Sequence, residues 1–210
     1  MNEPASIVFV VDDDPSIRRA IKRLVESVGL HVEVFGSAAE FRNSRHRDIV
    51  SCLILDIRLP GVSGLDFQRQ LSETKINIPI IFISAHGDVP MTVRAMKAGA
   101  IEFLTKPFRD QDLLDAVQVA LERDRARRQR EVEIATLRER FASLSPRERE
   151  VIAMVVSGMP NKQTAAEIGI TENTVKVHRS RAMEKMQAQS LADLVKMVER
   201  LKTEDTLASP

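Results

Sequence analysis

Five short apolar runs recur through the first 120 residues, and each gap between them carries a helical pattern. The runs are IVFVV at 7–11, VEVF at 32–35, CLIL at 52–55, IIFI at 80–83 and IEFL at 101–104. Runs this short and this continuously apolar suit strands buried on both faces of a parallel sheet. Between the first two lies PSIRRAIKRLVESVG, with Pro15 at its first turn and Gly29 at its close. Its Ile17, Ile21, Leu24, Val25 and Val28 fall on one helical face. Segments 37–43, 64–74, 89–98 and 110–121 supply four more helices. Strands alternating with helices in this way predict a doubly wound α/β domain over 1–121.

Residues 122–142 are rich in Arg and Glu and contain no Gly or Pro, so they read as a helical linker. Ile134, Leu137, Phe141 and Leu144 are spaced 3, 4 and 3. Such a seam suits either a dimer contact or packing on the segment that follows. From 143 to 203 the pattern is wholly helical with short loops. Ser145 and Glu148 form a capping-box signal ahead of Pro146. A helix over 161–167, a turn at Gly169 and a longer helix opening at Thr171 make a helix-turn-helix, and a fourth helix is expected over 190–201. Residues 204–210 read as a frayed tail.

Charge divides along the same lines. Residues 1–120 hold 14 basic and 16 acidic side chains, whereas 143–202 hold 10 basic and 7 acidic. The two parts should therefore meet different partners. Cys52 is the lone cysteine, which excludes an internal disulfide and fits a small buried core residue. The opening residues carry no basic and apolar signal pattern, and no apolar run is long enough for a membrane span. A soluble, cytoplasmic protein is the expectation.

Acids stand where strands end. Asp12 and Asp13 follow the first run and Asp56 follows the third. In a flavodoxin-like strand order, 2-1-3-4-5, those strands are neighbours, and ligands sit beyond their carboxyl ends. Two carboxylates about 4 Å apart repel by roughly 4 kcal/mol at an effective dielectric near 20. Three together need a counter-charge, and an all-oxygen set suits Mg²⁺. The fourth run ends at Ser84, followed by His86; the fifth leads into TKPF with Lys106. Three acids, a hydroxyl and an ammonium suit a carboxylate that takes up a phosphoryl group. His86 has no His or Cys at ligand spacing and reads as a loop residue. Asp14, just before Pro15, reads as a helix N-cap.

The motifs VVDDD, LDIRLPG, HGDVPMTVRAMKAGA and FLTKPF resemble, in order and spacing, those of two-component response regulators of the FixJ family. LSPREREV and TENTVKVHR resemble the LuxR-type helix-turn-helix domain that such regulators carry. The resemblance implies a receiver domain in which Asp56 accepts the phosphoryl group. Asp12, Asp13, Asp56 and the backbone carbonyl of Arg58 would hold Mg²⁺. Lys106, before a cis bond to Pro107, would contact the phosphoryl oxygens, with Ser84 and Phe103 as switch residues.

On the recognition helix, Lys176, Val177 and Ser180 would meet base edges. Thr174, His178, Arg179, Arg181 and Lys162 would meet phosphates, while Val175, Met183 and Met186 would be core. Val93 and Lys97 would lie on the face that pairs two receivers, and the exposed face of the fourth helix would pair the DNA-binding domains. The implied partners are a sensor histidine kinase, promoter DNA and a second copy of the chain formed on phosphorylation, with RNA polymerase as a further partner.

A phosphatase of the haloacid-dehalogenase type also uses a strand-end aspartate, but it needs a second Asp two residues on as general acid. Arg58 stands there, which disfavours an enzyme. A receiver acting through protein partners alone would not need the basic helix-turn-helix.

Overall fold

The computed structural model describes residues 6–44, 48–74, 76–85 and 87–208, with side chains described as far as residue 203. It divides into two units, Met1–Arg128 and Gln129–Pro210. His86 lies outside the described residues.

In the first unit, strands β1 (Ser6–Val11), β2 (His31–Phe35), β3 (Val50–Asp56), β6 (Ile80–Ser84) and β7 (Glu102–Thr105) form one sheet, in the order β2-β1-β3-β6-β7. Every pairing in it is parallel. This is the flavodoxin-like order expected. A two-stranded antiparallel hairpin, β4 (Arg58–Leu59) with β5 (Val62–Ser63), follows β3 and turns through Pro60 and Gly61.

The continuous apolar runs are explained by burial on both faces. Ile7, Phe9, Val11, Leu53, Leu55 and Phe82 pack with Phe41 of α2 (Ala38–Asn43), Phe67 and Leu71 of α3 (Gly64–Glu73) and Ala95 of α4 (Val89–Lys97). The alternate residues Val8, Val10, Cys52, Ile54, Ile81 and Ile83 pack with Ile21 and Val25 of α1 (Pro15–Ser27) and Leu113, Val117 and Ala120 of α5 (Asp110–Ala142). Full burial of one such side chain stabilises by about 1.5–3 kcal/mol. Phe41 meets Phe9 and Phe35 edge-on, each at 5.4 Å between ring centroids, and Phe67 at 6.0 Å.

The helical linker continues α5, which runs unbroken to Ala142 because nothing between 122 and 142 interrupts a helix. That stretch is not solvated throughout. Asp124 is fully buried and accepts the Ser51 N–H at 2.9 Å. Its carboxylate also takes Arg127 at 2.6 Å and Arg128 at 2.7 Å. Arg128 in turn reaches Asp48.

The second unit contains α6 (Pro146–Val156), α7 (Asn161–Ile168), α8 (Glu172–Met186) and α9 (Leu191–Ala208). The Ser145–Glu148 capping box is formed on α6, and Lys185 of α8 adds an ion pair to Glu148 at 2.7 Å. Gly169 closes α7 at φ +69, in the left-handed region glycine favours. Thr171 caps α8 by accepting the Thr174 N–H. The 3-4-3 seam is taken up within this unit. Ile134 and Leu137 pack on Leu201, and Leu144 joins Ile152, Ala182, Met186, Leu194 and Val198. Helix α9 continues past Leu201, so the frayed tail expected over 204–210 is helical through Ala208.

Candidate phosphoryl-acceptor and nucleic-acid sites

The sheet register brings the first unit's polar residues to one edge. Val11 lies opposite Leu55, Asp56 opposite Ile83, and Ser84 opposite Thr105. The residues next along each strand are therefore level with one another at the carboxyl ends. Asp12 is fully buried, Asp56 is 7% exposed, and Asp13 is exposed. Oxygens from these three carboxylates lie within 4.8 Å of one another. Ser84 is wholly buried at the end of β6.

Lys106 reaches into the acids. Its Nζ donates to Asp12 Oδ2 at 2.6 Å and stands 3.7 Å from Asp56 Oδ2. The peptide bond from Lys106 to Pro107 is cis, as expected, and the Lys106 N–H donates to the Ser84 carbonyl at 2.7 Å. Asp12 also accepts the Asp14 N–H at 2.8 Å, and its own carbonyl accepts Arg18 Nη1 at 2.5 Å. Asp12 is thus held by three partners while Asp56 is left with the more open approach. Asp14 caps α1 by accepting the Ser16 N–H at 2.7 Å.

Burial pushes the Asp56 carboxyl above its ordinary range. Lys106 and the Arg58 backbone N–H pull it down; Asp12 and Asp13 push it up. An acid cluster so sparingly neutralised, made only of oxygen donors, fits a hard divalent cation. Arg58 keeps its side chain exposed on β4.

Two glycines shape this edge. The Gly64 N–H donates to the Ile57 carbonyl at 2.8 Å, and a Cβ there would lie 2.7 Å from the Asp56 carbonyl oxygen. Gly87 sits against the ring of Phe103: a Cβ would lie 2.8 Å from its Cε1 and 2.9 Å from Thr105 Cγ2. Phe103 is half-buried, with its ring centroid 6.4 Å from that of Phe82. Neither glycine was singled out from sequence. Arg18 was not either, since its position on α1 reads as an ordinary solvated charge. On α4, Val93 and Lys97 are both exposed, together with Val89 and Met96.

In the second unit, α7, the turn at Gly169 and α8 form the helix-turn-helix. Val175, Ala182 and Met186 are buried, and Met183 is half-buried. Lys176, Val177, Ser180, Arg181 and Lys162 are exposed. Thr174, His178 and Arg179 are half-buried. Arg179 Nη1 lies 3.5 Å from Asn161 Oδ1, tying α8 to α7, and Lys176 pairs with Glu172 at 3.1 Å. On the face carrying Lys176, Val177 and Ser180, Val177 is 41% exposed.

Comparison with known proteins agrees with this anatomy. Residues 8–118 match the model of the response regulator receiver domain, and residues 142–198 that of the bacterial regulatory proteins of the luxR family. Nodulation protein W of Bradyrhizobium diazoefficiens is 58% identical over 93% of this chain and 86% of its own length. The response regulator protein TodT of Pseudomonas putida is 50% identical over 96% of this chain and 89% of its own. Among solved structures, the response regulator StyR superposes with a TM-score of 0.82 at 49% identity, over 93% of this chain and 99% of that one. Full-length FixJ from B. japonicum gives 0.58 at 34% identity, over 96% and 99%.

Proposed function

Because the chain belongs to the response regulators that join a receiver domain to a LuxR-type DNA-binding domain, we propose that its transcriptional output is controlled by phosphorylation of Asp56. As a member of that family it is a regulator of transcription and not an enzyme. The observation that carries the Asp56 assignment is the position of Lys106, bonded to Asp12 and 3.7 Å from Asp56. This leaves an ammonium beside a strand-end carboxylate that it does not fully neutralise.

The donor is a phosphohistidine of a sensor histidine kinase. An Asp56 carboxylate oxygen bonds to phosphorus as the P–N bond breaks, and the leaving imidazole takes up a proton. Lys106 is placed to pair with the phosphoryl oxygens. Asp12, Asp13, Asp56 and the Arg58 carbonyl would hold Mg²⁺, which supplies charge neutralisation for those oxygens when bound. Ser84 moves toward the new oxygens, and Phe103 follows into the space it vacates.

Those movements alter the surface of α4 and β7, where Val93 and Lys97 are exposed. Two receivers pair there, which tethers two DNA-binding domains and raises their local concentration at paired half-sites. We assign 1–121 to the receiver, 122–142 to the linker and 143–203 to the DNA-binding domain. Lys176, Val177 and Ser180 read bases; Thr174, His178, Arg179, Arg181 and Lys162 position the domain on phosphates. A DNA-binding domain of this family acts where promoter DNA lies, in the cytoplasm; among the described residues no helix is long and apolar enough to cross a membrane.

A gel-shift with a pool of random duplexes tests the assignment. Wild-type protein incubated with acetyl phosphate and Mg²⁺ should retain a sequence-specific subset at lower concentration than untreated protein. Asp56→Asn should show no response to acetyl phosphate. Equal stimulation of Asp56→Asn refutes the phosphoacceptor assignment.

A further inference from the structure

We propose that Glu172 is a specificity-determining residue of the DNA-binding domain, acting as one half of a Glu172–Lys176 reading pair. The inference rests on the DNA-binding reading above and adds a carboxylate to its base-contacting face.

Glu172, Lys176 and Ser180 are spaced by four residues each along α8, so they form one stripe. Glu172 Oε1 lies 3.1 Å from Lys176 Nζ, and the two side chains are 48% and 60% exposed. The lysine best placed to read a base is thus already paired, by a group on the same exposed stripe. An acid in the first turn of a helix is ordinary, since it complements the helix dipole. An acid on the face offered to a polyanion is not. Duplex DNA carries one negative charge per about 1.7 Å of axis, so an unmatched carboxylate there opposes binding to every sequence.

The opposition is relieved where the carboxylate finds a donor. In the major groove the cytosine N4 amino group is a donor for Glu or Asp, and guanine O6 and N7 are acceptors for Lys. A Glu–Lys pair presents an acceptor and a donor side by side. It therefore matches a site with a cytosine amino group next to guanine acceptors, and penalises a site that offers acceptors to both. The same pairing spends the lysine's charge within the protein, so Lys176 releases less counterion from non-specific DNA than a free lysine. The pair trades general affinity for discrimination.

The test uses the full chain, phosphorylated, with the duplex it selects from a random pool and a scrambled duplex of equal length. Glu172→Gln should bind the scrambled duplex several-fold more tightly. The slope of log K against log salt should steepen by about one unit. Discrimination between the selected duplex and one changed at a single G·C pair should fall by about ten-fold. In a Lys176→Ala background the same substitution should change slope and discrimination clearly less than in wild type, because the pair no longer exists and only the lone carboxylate is lost. Circular dichroism melts of both variants show whether α8 is retained; a carboxylate serving only the helix dipole would shift the melt and leave base preference alone. If Glu172→Gln keeps the wild-type slope and preference, this inference is wrong while the DNA-binding reading stands. An effect undiminished by Lys176→Ala also overturns the pair. If wild-type protein selects no sequence, both readings fall together.

Discussion

Lys106 Nζ is bonded to Asp12 at 2.6 Å and lies 3.7 Å from Asp56. The nearer acid is the more deeply buried one, and the farther acid is the proposed acceptor. That asymmetry leaves Asp56 under-compensated, and its carboxyl sits above its ordinary value of 3.8, chiefly through burial.

The first prediction is a pH dependence. A carboxyl whose folded value is raised holds its proton to higher pH in the folded chain than in the unfolded one. Stability therefore falls as pH rises from about the unfolded value through the folded one, and the cost is complete above both. In metal-free buffer at pH 7, Asp56→Asn should have a higher urea midpoint than wild type, and the gain should vanish below about pH 3. Adding Mg²⁺ should raise the wild-type midpoint and narrow the gap. A midpoint for Asp56→Asn equal to or below wild type at pH 7 contradicts the charge argument.

A second prediction separates base reading from phosphate contact. Lys176→Ala should weaken specific binding by about 1–3 kcal/mol and relax the preference at one position. Arg179→Ala should weaken all duplexes alike and reduce the salt slope by about one unit. It should also loosen α7 on α8, since Arg179 meets Asn161. Identical, sequence-independent losses for the two variants refute base reading by Lys176.

The third prediction concerns assembly. Val93 is 43% exposed on α4, so Val93→Asp should fold normally. Sedimentation should show wild type moving toward a dimer on phosphorylation, while Val93→Asp stays monomeric with Asp56 still labelled. Dimer formation by Val93→Asp at wild-type concentrations removes α4 from the pairing surface.

A fourth concerns Asp124. Replacing it by Ala strands the buried Ser51 N–H and takes one partner from each of two arginines. Leaving a buried donor unsatisfied costs about 1–3 kcal/mol, so the receiver's denaturation midpoint should drop accordingly. An unchanged midpoint would mean that water replaces the carboxylate without loss.

The doubly wound sheet was legible because its strands are buried on both faces, so 7–11, 52–55 and 80–83 are continuously apolar. The clustering of acids was legible for a related reason. An acid directly after such a run, as at Asp12 and Asp56, is carried toward the core by its own strand, and its burial is costly unless a counter-charge or ligand meets it. What stayed hidden depends on tertiary approach. Gly64 and Gly87 matter through atoms that lie beyond their sequence neighbours, the Asp56 carbonyl and the Phe103 ring. The β4–β5 hairpin is only two residues per strand, too short for a period to register. Asp124 did leave a trace. Leu113, Val117, Ala120 and Asp124 are spaced 4, 3 and 4, which places the acid on the buried stripe of α5, but the surrounding arginines masked it. The 3-4-3 seam allowed two partners, and Leu201 in α9 decides between them.

Cys52 sits wholly buried in β3, between β1 and β6, and burial pushes its thiol well above its ordinary value. A thiol reagent therefore meets a protonated, enclosed sulfur as long as the sheet is closed. Since the chain has one cysteine, each labelled molecule records one opening of the receiver core. When reclosing is fast relative to labelling, the rate follows the open population; when labelling wins, it follows the opening rate itself. The strand that ends in the proposed phosphoacceptor thus carries its own clock, able to report in an unmodified chain whether metal, phosphate or DNA slows the breathing of the sheet.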